Sequence, residues 1–174
     1  MSKRPTLPQV LVFARYPVPG KAKSRLVPAL GDGGACLLHR RMTEKLLEEL
    51  AAVPEARDVV CATGAPLRRF RAWLGCGVEV RSQPRGDLGR KLVAAFDEAF
   101  RGGAPAVLAV GCDVPGLDAA LVRRALAELD RNDAVMGPAA DGGYYLLGLK
   151  QPQPALFDGV HWGTDAVAEE TRAA

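Results

Sequence analysis

Three cations within five residues, Lys21, Lys23 and Arg25, follow a stretch rich in proline and glycine, Pro17-Val-Pro-Gly20. Ammonium and guanidinium groups on such a loop, together with its backbone N–H groups, are suited to gripping phosphate oxygens. The segment contains neither G-x-x-x-x-G-K-[ST] nor G-x-G-x-x-G, so it is not one of the common phosphate fingerprints. A solvated basic loop would have the same composition. Its place directly after the first apolar run of the chain, stiffened by Pro and Gly, favours phosphate binding. A second candidate is Gly111-Cys-Asp-Val-Pro115, which follows the apolar residues 106–110. A carboxylate at the end of a buried strand can present an oxygen to Mg²⁺ or Mn²⁺, and such cations ask the protein for one or two ligands beside substrate phosphates. Asp113 is therefore the candidate metal ligand and catalytic residue; the alternative is a turn residue ahead of Pro115.

Two further segments combine glycine with a carboxylate. Asp141-Gly142-Gly143 separates two apolar runs and reads as a hairpin turn. Its glycines would also admit a ligand close to the backbone, leaving Asp141 to take a sugar hydroxyl or the metal. Gly86-Asp87-Leu88-Gly89 is open in the same way: Asp87 either caps a helix starting at Leu88, or the segment holds a nucleotide base. The lone histidines His39 and His161 read as structural, and no Ser/His/Asp or Cys/His set is present.

The elements that must carry these groups alternate. Residues 10–14 form a short continuous apolar run, as expected for a strand covered on both faces. After a loop over residues 15–34, Leu37, Leu38, Met42, Leu46, Leu47 and Leu50 recur at helical spacing. Further strands are expected at 58–62, 78–81, 106–110, 134–137 and 144–149, and helices at 67–74, 88–100 and 118–129, with Thr164 capping a last one. This alternation predicts an α/β fold, a mainly parallel sheet with helices on both faces. Ligands of such folds bind outside the carboxyl ends of the strands, where the candidate residues fall.

Composition sets outer bounds. A chain of 174 residues, 48% hydrophobic and 25% charged, suits a single soluble domain over residues 1–174. The net charge of +3 is too small to imply nucleic acid, and basic pairs such as Arg40-Arg41 and Arg123-Arg124 read as solvated helix faces. The four cysteines, Cys36, Cys61, Cys76 and Cys112, lack zinc-ligand spacing and are expected to be reduced, in a cytoplasmic protein. No run approaches the roughly 20 apolar residues of a membrane span.

Taken together the segments resemble a known family. The residues from Phe13 to Leu26, Gly86-Asp-Leu-Gly89, Gly111-x-Asp-x-Pro115, the segment from Gly137 to Leu149 and Trp162-Gly-Thr164 occur in the order seen in the glycosyltransferase-like DUF2064 group. That group belongs with the nucleotide-diphospho-sugar transferases of the GT-A fold and is similar to phospholactate guanylyltransferases. The resemblance implies a three-layer GT-A sandwich and a nucleotide or nucleotide-sugar donor, with Mg²⁺ or Mn²⁺ as cofactor and a small-molecule acceptor. It places Lys21, Lys23 and Arg25 on the phosphates, Asp113 on the metal, and Asp141 and Gly142 at the active site. Two departures stand out. Cys112 replaces the hydroxyl residue common beside the metal aspartate, and the family's late Asp-x-Asp segment would lie past Ala174. The expectation is a shortened metal site and one of three activities: glycosyl transfer, nucleotidyl transfer with release of pyrophosphate, or nucleotide binding without turnover.

Overall fold

The structure is a computed structural model and describes residues 6–174. Six strands form one sheet in the order β3-β2-β1-β4-β6-β5. They are β1 (Gln9–Arg15), β2 (Arg57–Thr63), β3 (Glu79–Ser82), β4 (Val107–Gly111), β5 (Ala134–Pro138) and β6 (Tyr144–Leu149). β3, β2, β1 and β4 are mutually parallel, while β6 runs antiparallel to both β4 and β5. The helices are α1 (Val27–Ala51), α2 (Leu67–Leu74), α3 (Leu88–Arg101), α4 (Ala119–Leu129) and α5 (Val167–Ala173). The expected mixed sheet with helices on both faces is therefore what forms. Among the described residues, no helix is long and apolar enough to cross a membrane.

Alternation along the strands sorts the core into two layers. Val10 and Val12 of β1 join Leu46, Leu50, Phe70, Val122 and Leu129 from α1, α2 and α4. Leu11, between them, faces the opposite way and joins Leu92 and Phe96 of α3. Both layers are dry, which is why the central strands read as unbroken apolar runs. Phe96 stacks near Phe100 and Phe157 at 6.3 and 6.0 Å. Phe96→Ala should cost about 3–5 kcal/mol of unfolding free energy, as emptied aromatic sites in cores do. Urea denaturation checks this; a loss under about 1 kcal/mol would mean that the layer collapses around the gap.

The first helix departs from expectation at its beginning. It starts at Val27, inside the stretch read as loop, with Pro28 in its first turn, where a missing N–H costs nothing. Gly31, at φ 68° and ψ 168°, then breaks it. Its buried positions are Ala35, His39, Thr43, Leu46 and Leu50, one helical face that passes through two polar residues. Leu37 and Leu38 lie to the side of that face and remain 55% and 36% exposed. The apolar stripe read from the sequence is thus buried only in its second half.

Candidate active site at the carboxyl ends of the first and fourth strands

β1 and β4 are adjacent and parallel, with Phe13 opposite Gly111, so both release their following loops at the same edge of the sheet. After β1 the chain turns tightly: Lys21 N–H donates to Val18 O at 3.0 Å across Pro19 and Gly20. Gly20 takes φ +73°, the third position of a type II turn, which glycine fills without strain. Ala22 is buried and pins the loop between its two lysines. Lys23 then adopts φ 50° and ψ 48°, the left-handed region, and is the one non-glycine residue among those described to do so. That conformation costs roughly 1–2 kcal/mol for a residue with a Cβ. It accompanies a contact: Lys23 Nζ stands 3.3 Å from Asp113 Oδ2. The two side chains are 15% and 55% exposed, so the lysine is largely enclosed while the carboxylate faces outward. Lys21 and Arg25 are exposed on the same loop.

Helix α1 holds both loops from beneath. His39 Nε2–H donates to Arg15 O at 2.9 Å, at the last residue of β1. One turn later, the Thr43 hydroxyl donates to His39 O at 3.0 Å, and Thr43 stands near the Cys112 thiol, next to Asp113. These two polar residues explain why α1 buries no leucine at those positions. The sequence marked His39 as structural but offered no sign that it braces the end of β1 ahead of the cationic loop. His39→Leu should lower stability by about 1–3 kcal/mol, because the Arg15 carbonyl is left without its partner. Chemical denaturation would reveal this, and an unchanged midpoint would mean that the bond carries no net weight.

The remaining motifs meet one another. Register places the Asp141-Gly142-Gly143 turn at the same edge as Asp113, since Val110 of β4 lies opposite Leu146 of β6. Asp141 Oδ1 accepts from Gly143 N–H at 3.2 Å, closing the hairpin. Gly142, at φ +82°, leaves no room for a side chain: a Cβ would sit 1.9 Å from Asp165 O. Its carbonyl accepts from Ala168 N–H at 2.9 Å. The close approach that this glycine permits is therefore to the chain's own backbone. Asp87 caps α3, accepting from Arg90 N–H at 2.8 Å, while Gly86 sits ahead of it at φ 130°. Gly89 makes room for Trp162, whose Nε1 lies 2.5 Å from where a Cβ would be. Thr164 closes a turn onto His161 O rather than capping α5, whose N-cap is Ala166. Residues 162–165 thus touch both glycine motifs and clasp them together.

A shallow recess of about 100 Å³ opens on the α3 side of the sheet, lined by Phe13, Gly111, Leu88, Tyr144 and Tyr145. Gly111 keeps it continuous with the carboxylate, because a Cβ there would lie 3.3 Å from Asp113 Oδ1. Burial pushes the Tyr144 phenol up to about 12 and the Cys61 thiol up to about 12. Burial also raises the Cys112 thiol, with the nearby Thr43 pulling the other way. These thiols stay protonated near neutrality and are poor nucleophiles. Among the described residues, no group of three or more His, Cys, Asp or Glu side chains gathers as a ready metal cage. One outward-facing carboxylate beside a phosphate-sized cationic loop fits Mg²⁺ or Mn²⁺ only in the form those ions take with nucleotides, completed by phosphate and water oxygens.

A parallel sheet that ends in a cationic loop and a carboxylate, and then folds back through an antiparallel hairpin, is the architecture of the nucleotide-diphospho-sugar transferases. A Desulfovibrio desulfuricans G20 protein assigned to that class superposes with a TM-score of 0.92 at 35% identity, over 97% of this chain and 74% of the other. The sequence matches the family described as "Uncharacterized protein conserved in bacteria (DUF2064)" over residues 46–164, and the chain belongs to that family. More distant structures share the fold. The 4-diphosphocytidyl-2C-methyl-D-erythritol synthase of Anaerococcus prevotii DSM 20548 is 13% identical with a TM-score of 0.61, over 97% of this chain and 83% of its own. Rv0371c of Mycobacterium tuberculosis H37Rv, in complex with manganese, is 15% identical with a TM-score of 0.58, over the same shares. No curated protein matches the sequence. Fold and family together make the chain a transferase.

Proposed function

We propose that this protein is a metal-dependent glycosyltransferase-like enzyme that uses a nucleotide-sugar donor. The observation that carries the reading is the 3.3 Å contact between Lys23 and Asp113, which joins the cationic loop to the carboxylate at one sheet edge. Lys21, Lys23 and Arg25 grip the diphosphate by charge-assisted hydrogen bonds. Asp113 holds Mg²⁺ or Mn²⁺, which when bound neutralises charge on the departing nucleoside diphosphate. The nucleoside base lies against the shallow recess beside Gly111 and Leu88, with Gly86 and Asp87 immediately ahead of Leu88 at the start of α3. Asp141 and the turn at Gly142 and Gly143 orient the small-molecule acceptor.

A second reading is nucleotidyl transfer, in which the same three cations hold the β- and γ-phosphates of an NTP and pyrophosphate leaves. The similarity of fold to the Anaerococcus synthase favours keeping it. One panel separates the readings. Nucleoside triphosphates and nucleotide sugars are screened by thermal shift with and without Mn²⁺, and pyrophosphate release is measured in parallel. A ligand at a hundredfold excess over its Kd stabilises by about 2.7 kcal/mol. Manganese-dependent stabilisation by a nucleotide sugar supports glycosyl transfer, and pyrophosphate from an NTP supports the second reading. A panel without any metal-dependent shift would overturn both.

A further inference from the structure

A groove of about 580 Å³ lies on the α1 and α4 side of the sheet, opposite the recess, with Lys23 and Asp113 in its lining. Leu38, Met42, Leu46, Val114, Pro115 and Leu117 line it. Its volume is that of a small-molecule site, with an apolar strip of leucine, methionine, valine and proline set among six charged residues. Lys23 and Asp113 line this groove, while Gly111, two residues before Asp113, lines the recess. We infer that this groove binds the apolar body of the acceptor, an uncharged alcohol whose hydroxyl end extends past Asp113 toward the Asp141 turn at the same edge of the sheet. The inference rests on the glycosyl-transfer reading above, and it adds the chemical class of the second substrate.

The charges around the groove make the case for an uncharged occupant. Lys23, Arg41 and Lys45 face Glu49, Asp113 and Asp118, a balanced set. Each also has a partner within the protein. Lys45 Nζ lies 2.6 Å from Glu49 Oε1, and Arg41 Nη1 lies 3.3 Å from Glu44 Oε2. The Asp118 carboxylate accepts from Leu121 N–H at 2.8 Å as the cap of α4. A phosphorylated or carboxylated acceptor would gain little here, since Glu49, Asp113 and Asp118 repel it as much as the cations attract it, whereas an apolar body covers leucines that otherwise face water. Beside Asp113 the polar group of the occupant meets the chemistry. There the hydroxyl oxygen bonds to the anomeric carbon of the donor sugar. The bond from that carbon to the diphosphate oxygen breaks, its electron pair leaves with the nucleoside diphosphate, and the hydroxyl proton passes to solvent.

The test uses 2-naphthol as an apolar alcohol, 2-naphthoate as its charged counterpart, and methyl-labelled protein observed by NMR. We expect saturable shifts at Met42, Leu38 and Val114 with 2-naphthol, and affinity at least about tenfold weaker for 2-naphthoate. Leu38→Asp, at a half-exposed position that the fold tolerates, should abolish the response while leaving Mn²⁺–nucleotide-sugar affinity unchanged. Leu37→Asp, equally on α1 but outside the groove, should change neither. Shifts that fail to saturate, or equal binding of the two probes, overturn the inference. So does loss of the free methyl signals as protein concentration rises, which would put a second copy of the chain in the groove. Nucleotide-sugar binding measured on the same samples separates the two levels. Groove binding without nucleotide binding contradicts the transferase reading and the acceptor role with it, whereas nucleotide binding without groove binding contradicts the groove alone.

Discussion

Replacing Lys21 and Lys23 together by Met should weaken nucleoside diphosphate binding by about a hundredfold or more, with little effect on the parent nucleoside. Each ammonium contributes a charge-assisted hydrogen bond to phosphate, about 1.5–3 kcal/mol apiece, and about 1.4 kcal/mol corresponds to tenfold in affinity. Methionine keeps the length of the stem, so Lys23 is replaced with the same left-handed backbone cost and much the same packing. What disappears is charge. Loss of the Lys23–Asp113 contact itself matters little to stability, because the carboxylate is more than half exposed and its pairing is screened. Calorimetric titration of both ligands into the double variant decides the matter. An equal loss for nucleoside and nucleoside diphosphate would show that the loop acts through its shape and not through phosphate contact.

The second large effect concerns stability. Gly142→Ala places a methyl group 1.9 Å from Asp165 O in a residue at φ +82°. Neither constraint can relax cheaply, since the obstacle is backbone and the turn is closed by the hydrogen bond from Ala168. Left-handed strain of roughly 1–2 kcal/mol and overpacking of about 1–3 kcal/mol together give an expected loss of about 2–5 kcal/mol. Gly143→Ala is the control, because the nearest atom to its Cβ position is Asp141 Oδ1 at 3.4 Å, an ordinary contact. Thermal melts of the two variants should therefore differ widely. Similar melting temperatures would mean that residues 162–165 do not clasp the hairpin as described.

Much of this architecture is legible in the sequence because local signals and burial agree. The boundaries of α2 and β6 coincide with those read from pattern alone, β5 differs by one residue at its end, and the other strands differ by one residue at each end. Continuous apolar runs have one explanation in a sheet covered on both faces, and of the two readings open for Asp87 the helix cap is the one that forms. What stayed hidden depends on contacts between residues distant in sequence. The glycines at 89 and 142 are each fixed by a partner more than twenty residues away, Trp162 and Asp165, so spacing alone could suggest only loops near a ligand. His39 and Thr43 look like interruptions of an amphipathic stripe, and only the packing of α1 under both strand ends gives them a task. The start of α1 was hidden for a different reason. Pro28 and Gly31 are loop residues by type, and the helix tolerates one in its first turn and breaks at the other.

In the proposed enzyme Asp113 holds a divalent cation together with nucleotide phosphates gripped by the neighbouring loop. Titrating Mn²⁺ into the protein alone, then into its nucleoside diphosphate complex, for the native chain and for Asp113→Asn, tests it directly. With one carboxylate at the site, metal should bind weakly to the free protein and appreciably only when phosphate oxygens complete its coordination. Asp113→Asn, nearly unchanged in volume, should stay folded and lose the metal-dependent gain in nucleotide affinity. Unchanged Mn²⁺–nucleotide affinity in a folded Asp113→Asn variant would contradict the account and leave Asp113 as a turn residue ahead of Pro115.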